Sequence, residues 1–128
     1  KFTKLLNPNE KLLIDGCHSE ASARNLASYL KNIDKDIYGI WGMQKHKHPD
    51  LFIKQFKGVF KKIIAVKIPD ESNSCKPQRL KQIANRSGIK CDVAPSIESA
   101  IKLLSNKKPK VITFFGSLYL IGKILSFN

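Results

Sequence analysis

The sequence is poor in acidic residues and in arginine. Ten Asp and Glu oppose 23 Lys and Arg, which leaves a formal charge of +13, and arginine occurs only at positions 24, 79 and 86. Because base-specific contacts favour the planar guanidinium group, a cationic surface made mostly of lysine argues against sequence-specific nucleic-acid recognition. The charge is compatible with other polyanions, such as a nucleotide or a substrate with several carboxylates. A small basic module that binds RNA stays open as a rival function, although nucleic acid is the less favoured partner.

Several local motifs are also absent. The chain has no GxSxG elbow, no Walker A lysine loop and no GxGxxG fingerprint, so it carries no self-contained nucleophile or nucleotide site of those kinds. Its three cysteines, Cys17, Cys75 and Cys91, form no CxxC pair and no zinc-ligand set with histidine. We therefore expect free thiols and a reducing compartment, which favours a cytoplasmic location.

No apolar run is long enough for a membrane-spanning helix. The longest candidate, residues 111–127, falls short of the roughly 20 residues required. It is also interrupted by Gly116, Ser117, Gly122 and Lys123. A buried strand followed by a helix explains the segment better, and we expect no membrane contact.

Short apolar runs alternate with amphipathic segments five times along the chain. Strands are predicted at residues 12–14, 37–41, 63–68, 90–93 and 111–115. Between them, apolar residues recur at three- and four-residue steps, with Ser19 and Ser96 as helix caps and Pro49 and Pro77 as helix starts. The polar residues 70–76 are predicted to form an exposed loop.

Strands without polar alternation, separated by helices of about ten residues, are typical of a parallel sheet buried on both faces. The sequence therefore predicts an α/β fold: one three-layer Rossmann-like domain over residues 1–128, with a mostly parallel sheet of about five or six strands flanked by helices. In such sheets ligands bind beyond the carboxyl ends of the strands. The loops after the first, second and fifth strands, residues 15–19, 42–48 and 116–119, are the candidate site.

The first of these loops reads Asp-Gly-Cys-His-Ser and stands directly before a helix. Asp15 can accept hydrogen bonds from ribose hydroxyls, and His18 can donate one to a phosphate or carboxylate oxygen. The opposing interpretation is that Asp15 and Ser19 only cap a turn and that His18 is an ordinary surface residue. Spacing alone does not decide between the two.

The other two loops are less specific. Residues 45–48 read Lys-His-Lys-His; two histidines on an extended loop could bind a metal, but no third ligand stands out, so we predict no metal site. A solvated basic loop is favoured, with Lys47 placed to contact phosphate or carboxylate. In the last loop Gly116 allows close backbone approach, and Ser117 offers both a hydroxyl and a helix-cap oxygen. An ordinary strand-to-helix turn explains that loop equally well.

Taken together, three stretches resemble the C-terminal domain of the Mur ligase superfamily. They are LLIDGCHSEASARNLASYL, IYGIWGMQKHKHPDLF and VITFFGSLYLIGKIL. Within that superfamily the chain is most similar to folylpolyglutamate synthase/dihydrofolate synthase, because the Gly-Ser-Leu-Tyr-Leu turn favours the folate branch over the peptidoglycan branches. The resemblance covers nearly the whole chain, and the motifs follow in the same order.

The resemblance implies half of an ATP-dependent, ADP-forming ligase that adds glutamate to a folate or pteroate carboxylate through an acyl phosphate. A preceding ATP-binding domain would hold most of the ATP and the magnesium, and this fragment alone would be inactive. By position, Asp15 would meet the ATP ribose, and Lys47 matches a family lysine that we place at the nucleotide. His18 would act catalytically near the reacting phosphate and glutamate, while Ser117 would help to hold the glutamate. The chain begins with Lys1 and not with Met, so we expect a segment upstream.

The chain also departs from the family pattern. Cys17, Ser19 and Glu20 replace the usual Ala, Asn and Pro of the first motif, and His46 and His48 stand where the second motif has acidic residues. These changes alter local charge and put any nucleotide contact of the missing Asn in doubt. A peptidoglycan-precursor ligase is the alternative within the superfamily.

Overall fold

A computed structural model describes residues 6, 8–16, 18–106 and 108–127, and of Phe127 only the backbone. Cys17 lies outside the described residues. The strands are β1 (Glu10–Ile14), β2 (Asp36–Trp41), β3 (Lys62–Ala65), β4 (Cys91–Val93) and β5 (Lys110–Phe115). The helices are α1 (Glu20–Lys31), α2 (Pro49–Ile53), α3 (Pro77–Arg86), α4 (Ile97–Leu104) and α5 (Leu118–Phe127).

The five strands form one sheet in the order β1-β5-β2-β3-β4, and every neighbouring pair is parallel. β5 lies in the middle of the β1-β5-β2 group, with Ile14 beside Phe114 and Trp41 beside Phe115. All six residues of β5 are buried, as a strand covered on both faces requires. The predicted parallel sheet is confirmed.

Helices cover both faces of the sheet, which confirms the three-layer architecture. Helices α1, α2 and α3 pack on one face, over an aromatic cluster that includes Trp41, Phe52, Phe56 and Phe115. Helices α4 and α5 pack on the other face against the intervening side chains of the same strands, such as Ile40 and Phe114. Adjacent strand residues thus serve opposite cores, because successive side chains of a strand point to opposite faces.

The predicted helix caps are present. The Ser19 hydroxyl accepts a hydrogen bond from the Ser22 amide at 3.1 Å, and Ser22 bonds back to form a capping box. The Ser96 hydroxyl accepts from the Ser99 amide at 3.1 Å. These bonds satisfy amide groups that have no partner inside the helix, so the two serines fix where α1 and α4 begin.

Three local predictions need correction. β3 ends at Ala65 and not at Ile68, because the Ile68 amide donates to the Ser74 hydroxyl at 2.9 Å and not to a neighbouring strand. Helix α2 has 5 residues, Pro49–Ile53, and not the expected ten or so, because the chain passes into a 3-10 turn over Lys54–Phe56. The loop at residues 70–76 is only partly exposed, since Ser74 and Cys75 are buried.

Residues 111–127 form most of β5 and then α5, as expected from the sequence. Across the described ranges, no helix has both the length and the apolar character needed to cross a membrane. Cys75 and Cys91 are free thiols and both are buried. Burial raises the pKa of Cys91 to about 12, so this thiol is held in its neutral form and behaves as a small apolar core residue.

Candidate functional site

The three candidate loops lie side by side at the carboxyl edge of the sheet. They follow β1, β5 and β2, which are neighbours in that order. The Asp15 amide donates to the Phe114 carbonyl at 3.0 Å, and the Gly42 amide donates to the Phe115 carbonyl at 3.4 Å. Sheet pairing therefore continues one residue beyond β1 and β2, and it fixes both outer loops to the end of β5.

Glycines allow these loops to approach closely. A Cβ at position 16 would lie 2.5 Å from Cδ2 of Leu118, the first residue of α5. Gly116 has a φ of 109°, a backbone conformation that strongly favours glycine. The loop after β5 is thus held between the other two loops.

His18 is held by its own loop. Its Nδ1 lies 3.0 Å from the Gly16 carbonyl oxygen, and because a carbonyl oxygen only accepts, Nδ1 carries the proton. Within the part of the chain that the structure describes, Nε2 has no hydrogen-bond partner. The ring is half-buried, directly before the capped start of α1. His18 is therefore an oriented side chain, and its Nε2 can accept a hydrogen bond from a ligand, or donate one to a ligand oxygen when both ring nitrogens are protonated.

Ser117 is buried, with 3% of its surface exposed. Its hydroxyl oxygen accepts hydrogen bonds from the amides of Tyr119 at 3.0 Å and Leu120 at 3.5 Å. These are the first-turn amides of α5, so the helix-cap interpretation of Ser117 is confirmed. The hydroxyl hydrogen is not used by those two bonds, and the glutamate contact stays a prediction.

The basic loop differs in shape from the extended loop expected from the sequence. Residues Lys45–Lys47 form one 3-10 turn, closed by the Lys47 amide on the Gln44 carbonyl at 3.2 Å. His48 follows in the left-handed region at φ 53°, and Pro49 starts α2. In a turn with three residues per revolution, side chains two positions apart leave in different directions. Throughout the described ranges, no group of three or more His, Cys, Asp or Glu side chains is placed to share a metal ion.

The first and second loops line an open cavity of about 360 Å³, which we call the cleft cavity. His18 lines it from one side and Lys47 from the other, so the structure brings these two predicted residues together. Neither Asp15 nor Ser117 is among the described residues that line it. Asp15 is half-buried at the end of β1, and its proposed ribose contact stays a prediction.

Further residues line the cleft cavity: the two histidines of the second candidate loop, and Glu20, which lies outside all three candidate loops. His46 and His48 line the cleft cavity too, so all three histidines of the chain meet there. Glu20 also lines it, and its carboxylate accepts from Arg24 at 3.2 Å. The position of Glu20 in the first turn after the cap was a usable signal, because such residues lie beside the preceding loop. Most of the side chains that line the cavity are cationic or can form hydrogen bonds, and such side chains can bind anionic oxygen atoms.

The sheet has five parallel strands, and the loops after β1, β5 and β2 lie at its carboxyl edge. This architecture places the chain among Rossmann-like α/β domains. The family model described as "Dihydrofolate synthetase, C-terminal domain" matches residues 1–127. The chain belongs to this family of dihydrofolate synthetase C-terminal domains. The resemblance and the fold class stated from the sequence are thereby confirmed.

Solved structures agree on the fold. Mycobacterium tuberculosis folylpolyglutamate synthase complexed with ADP and AMPPCP matches with a TM-score of 0.80 at 19% identity, over 91% of this chain and 29% of that chain. E. coli FolC in complex with DHPP and ADP matches with a TM-score of 0.79 at 13% identity, over 96% of this chain and 30% of that chain. The bifunctional folylpolyglutamate synthase/dihydrofolate synthase from Yersinia pestis matches with a TM-score of 0.79 at 14% identity, over 94% of this chain and 29% of that chain. The chain thus spans under a third of these proteins. No curated protein sequence matches it.

Proposed function

We propose that this chain closes over ATP as the C-terminal domain of an ADP-forming ligase, one that joins glutamate to a folate or pteroate carboxylate. The observation that carries the proposal is the cleft cavity, where His18 and Lys47 from two separate loops line the same space at the ligand edge. These loops supply one wall. A preceding ATP-binding domain of the same polypeptide supplies the other wall, and the chain alone is inactive.

The lining of the cleft cavity fits a nucleotide phosphate better than it fits a metal ion. Lys47 and the neighbouring histidines offer donors to phosphate oxygens. Carboxylates, which Mg²⁺ prefers, are represented among the described lining residues by Glu20 alone, and Glu20 is paired with Arg24. We therefore assign magnesium mainly to the preceding domain. To this chain we assign the nucleotide contacts of Asp15 and Lys47.

The proposed ligation requires that two substrates be aligned and that water be excluded from the reacting groups. The terminal phosphoryl group of ATP passes to a poorly electrophilic carboxylate, which forms an acyl phosphate and releases ADP. The glutamate amine then attacks the acyl carbon, and inorganic phosphate leaves as the amide bond forms. This chain positions the partners: His18, held through Nδ1, donates from Nε2 to phosphate or glutamate oxygens when both ring nitrogens are protonated, and Ser117 helps to hold the glutamate. Closure of the two domains keeps water away from the reactive group.

The rival functions have less support. Single-stranded RNA is commonly bound by aromatic residues exposed on a sheet, but β5 is wholly buried here, and the strongly exposed tyrosines, Tyr29 and Tyr119, lie on helices. The family match favours the folate branch over a peptidoglycan-precursor ligase. A cytoplasmic location stays a prediction, supported by the free thiols of Cys75 and Cys91.

The test is a ligation assay on the complete protein that contains this chain. With ATP, Mg²⁺, glutamate and either dihydropteroate or a folate, we expect equal amounts of ADP and of the glutamylated product. The 128-residue chain alone is the control and should yield neither product. Turnover of a muropeptide in place of both folates would assign the chain to the peptidoglycan branch. Failure of every acceptor, together with RNA binding that weakens steeply with salt, would favour the basic binding module.

A further inference from the structure

A second cavity, of about 500 Å³, adjoins the cleft cavity on the side of α3. Four basic side chains line it, and we call it the arginine cavity: Lys45, His48, Arg79 and Arg86. It contains two of the three arginines of the sequence. Its volume lies within the range of small-molecule sites. Apart from His48, which also lines the cleft cavity, none of its lining residues has a role in the ligase function proposed above.

The cavity has a fixed apolar floor. Cys75 and Ile83 line it and are buried. The Cys75 amide donates to the Met43 carbonyl at 2.7 Å, and the Lys45 amide donates to the Asn73 carbonyl at 2.9 Å. The loop that carries Lys45 is therefore joined by backbone hydrogen bonds to the segment that leads into α3. The backbone of the two walls is thus fixed, and the four exposed basic side chains extend from it into the same cavity.

The charges of this cavity are not neutralised by ion pairs. Arg24 pairs with Glu20 at 3.2 Å, whereas Arg79 and Arg86 form no ion pair with any described residue. A net charge of +13 leaves many cations without acidic partners, so the absence of pairs alone is not informative. What distinguishes these groups is that they converge on one cavity, in which Asp50 is the single carboxylate among the described lining residues.

The pKa of the Cys75 thiol reflects the positive charges that converge on the cavity. Burial raises the pKa of its thiol, while the positive charges of Arg79 and Lys45 oppose the increase. Two cations from different walls therefore act at the same point of the floor.

The spacing of the arginines indicates the shape of the ligand. Arg79, Ile83 and Arg86 follow the four- and three-residue steps of one face of α3, so the Cα atoms of the two arginines lie about 10 Å apart along the helix. This separation suits an anion whose charges repeat along its length. His48 lines both cavities, so a chain that leaves the cleft cavity can continue into the arginine cavity.

We propose that the arginine cavity binds the carboxylates of an oligo-γ-glutamyl chain, with Arg79 and Arg86 as its anchors. The proposal rests on the ligase function, because that function makes or extends such a chain at the neighbouring cleft cavity. Guanidinium groups pair with carboxylates through two parallel hydrogen bonds, which lysine cannot reproduce. The site would favour acceptors that already carry several glutamates.

The test is calorimetric titration of the 128-residue chain at constant ionic strength, so it does not depend on ligation. The probes are γ-linked pentaglutamate, free glutamate, tripolyphosphate and a short single-stranded RNA. We expect pentaglutamate to bind at least about tenfold more tightly than glutamate. Arg79→Ala and Arg86→Ala should each weaken its binding about fivefold, and Arg79→Lys should restore only part of the loss. Lys102→Ala, which removes one exposed charge from α4 on the other face, is the matched control and should change binding less than twofold.

Two results would overturn the proposal. Arginine variants that behave like Lys102→Ala would show that net charge alone attracts the chain. Tripolyphosphate or RNA that binds more tightly than pentaglutamate, and is lost in the same arginine variants, would reassign the cavity to phosphate. The ligation assay on the complete protein tests the ligase function independently of this titration. Pentaglutamate binding that needs both arginines, without ligase turnover, would reject the ligase function and leave the binding site in place.

Discussion

Gly116 packs against Gly42 so closely that a Cβ at position 116 would lie 2.5 Å from the Gly42 carbonyl oxygen. The same Cβ would lie 2.5 Å from Cδ1 of the buried Trp41 ring. Gly116→Ala should therefore lower the free energy of unfolding by at least about 2 kcal/mol, since a clash with backbone adds to the strain of a φ of 109°. Urea denaturation followed by the fluorescence of Trp41, the single tryptophan, measures this.

Gly122 provides the matched control. It lies in α5, and a Cβ there would meet no atom within 4 Å. Gly122→Ala should stabilise the chain by up to about 1 kcal/mol, because alanine is the better helix former. Equal effects of the two substitutions would show that the approach of the loops after β5 and β2 does not constrain position 116.

His18 and Asp15 should be needed for ligation and not for folding. In the complete protein, His18→Ala or Asp15→Ala should each reduce glutamate ligation by more than about tenfold, with unchanged folding as measured by circular dichroism. His18→Asn keeps a donor near the position of Nδ1, which lies 3.0 Å from the Gly16 oxygen, but it removes Nε2. It should therefore lose as much activity as alanine. Wild-type rates in both alanine variants would remove these residues from the site.

Ser117 should affect both stability and glutamate binding. Ser117→Ala removes the acceptor for the Tyr119 amide, so it should destabilise the chain by about 1 kcal/mol. If the same hydroxyl holds glutamate, the KM for glutamate should also rise severalfold in the complete protein. Ser96→Ala makes the same chemical change at the cap of α4, after the edge strand β4. It should lower stability equally and leave KM unchanged; equal KM values in both variants would limit Ser117 to capping.

Most of the fold could be predicted because local and nonlocal signals agree. Apolar runs without alternation match strands buried on both faces, and Ser19 and Ser96 cap the helices that they precede. The error at the end of β3 falls where a side-chain contact within a loop competes with the sheet. Ile68 continues an apolar run in the sequence, but its amide is taken by the hydroxyl of Ser74, a residue in a loop that looked exposed.

Less of the site could be predicted, because a sequence identifies the loops but not which of their side chains are buried and which line a cavity. His18 and Lys47 were identified and do share a cavity, whereas Ser117 proved to be buried beneath its own helix. The arginine cavity was missed. Its signal is the helical spacing of Arg79 and Arg86, which has meaning only once α3 is known to lie beside the loop that carries Lys45.

Lys110 and Glu10 form a buried pair that the sequence did not indicate. They are register partners at the starts of β5 and β1, with Nζ and Oε2 3.2 Å apart and exposures of 1% and 0%. Lys110→Met should lower the free energy of unfolding by about 3 kcal/mol or more, because it removes the cation that balances a buried carboxylate. Adding Glu10→Gln to that variant should recover part of the loss. A double variant less stable than Lys110→Met alone would contradict this account.

Asp92 is expected to make stability depend on pH. It lies in β4, with Lys62 at 2.5 Å and Lys81 at 3.8 Å. The hydrogen bond from Lys62 holds the pKa of Asp92 below its usual value. A carboxylate whose pKa is lower in the folded state stabilises the fold above its unfolded pKa of about 3.9, and that stabilisation is lost as the pH falls through the lower, folded value.

At pH 7, Asp92→Asn should therefore lower the free energy of unfolding, but by at most about 1 kcal/mol, since solvent screens a carboxylate that is 49% exposed. The difference from wild type should shrink below about pH 4 and vanish in stronger acid, where wild-type Asp92 is also neutral. Molar salt at pH 7 should shrink it as well. Asp34→Asn, at an exposed carboxylate without an ion pair among the described residues, is the control and should show little effect. A difference that stays constant from pH 7 to pH 3 would mean that Asp92 stabilises β4 through its shape and not through its charge.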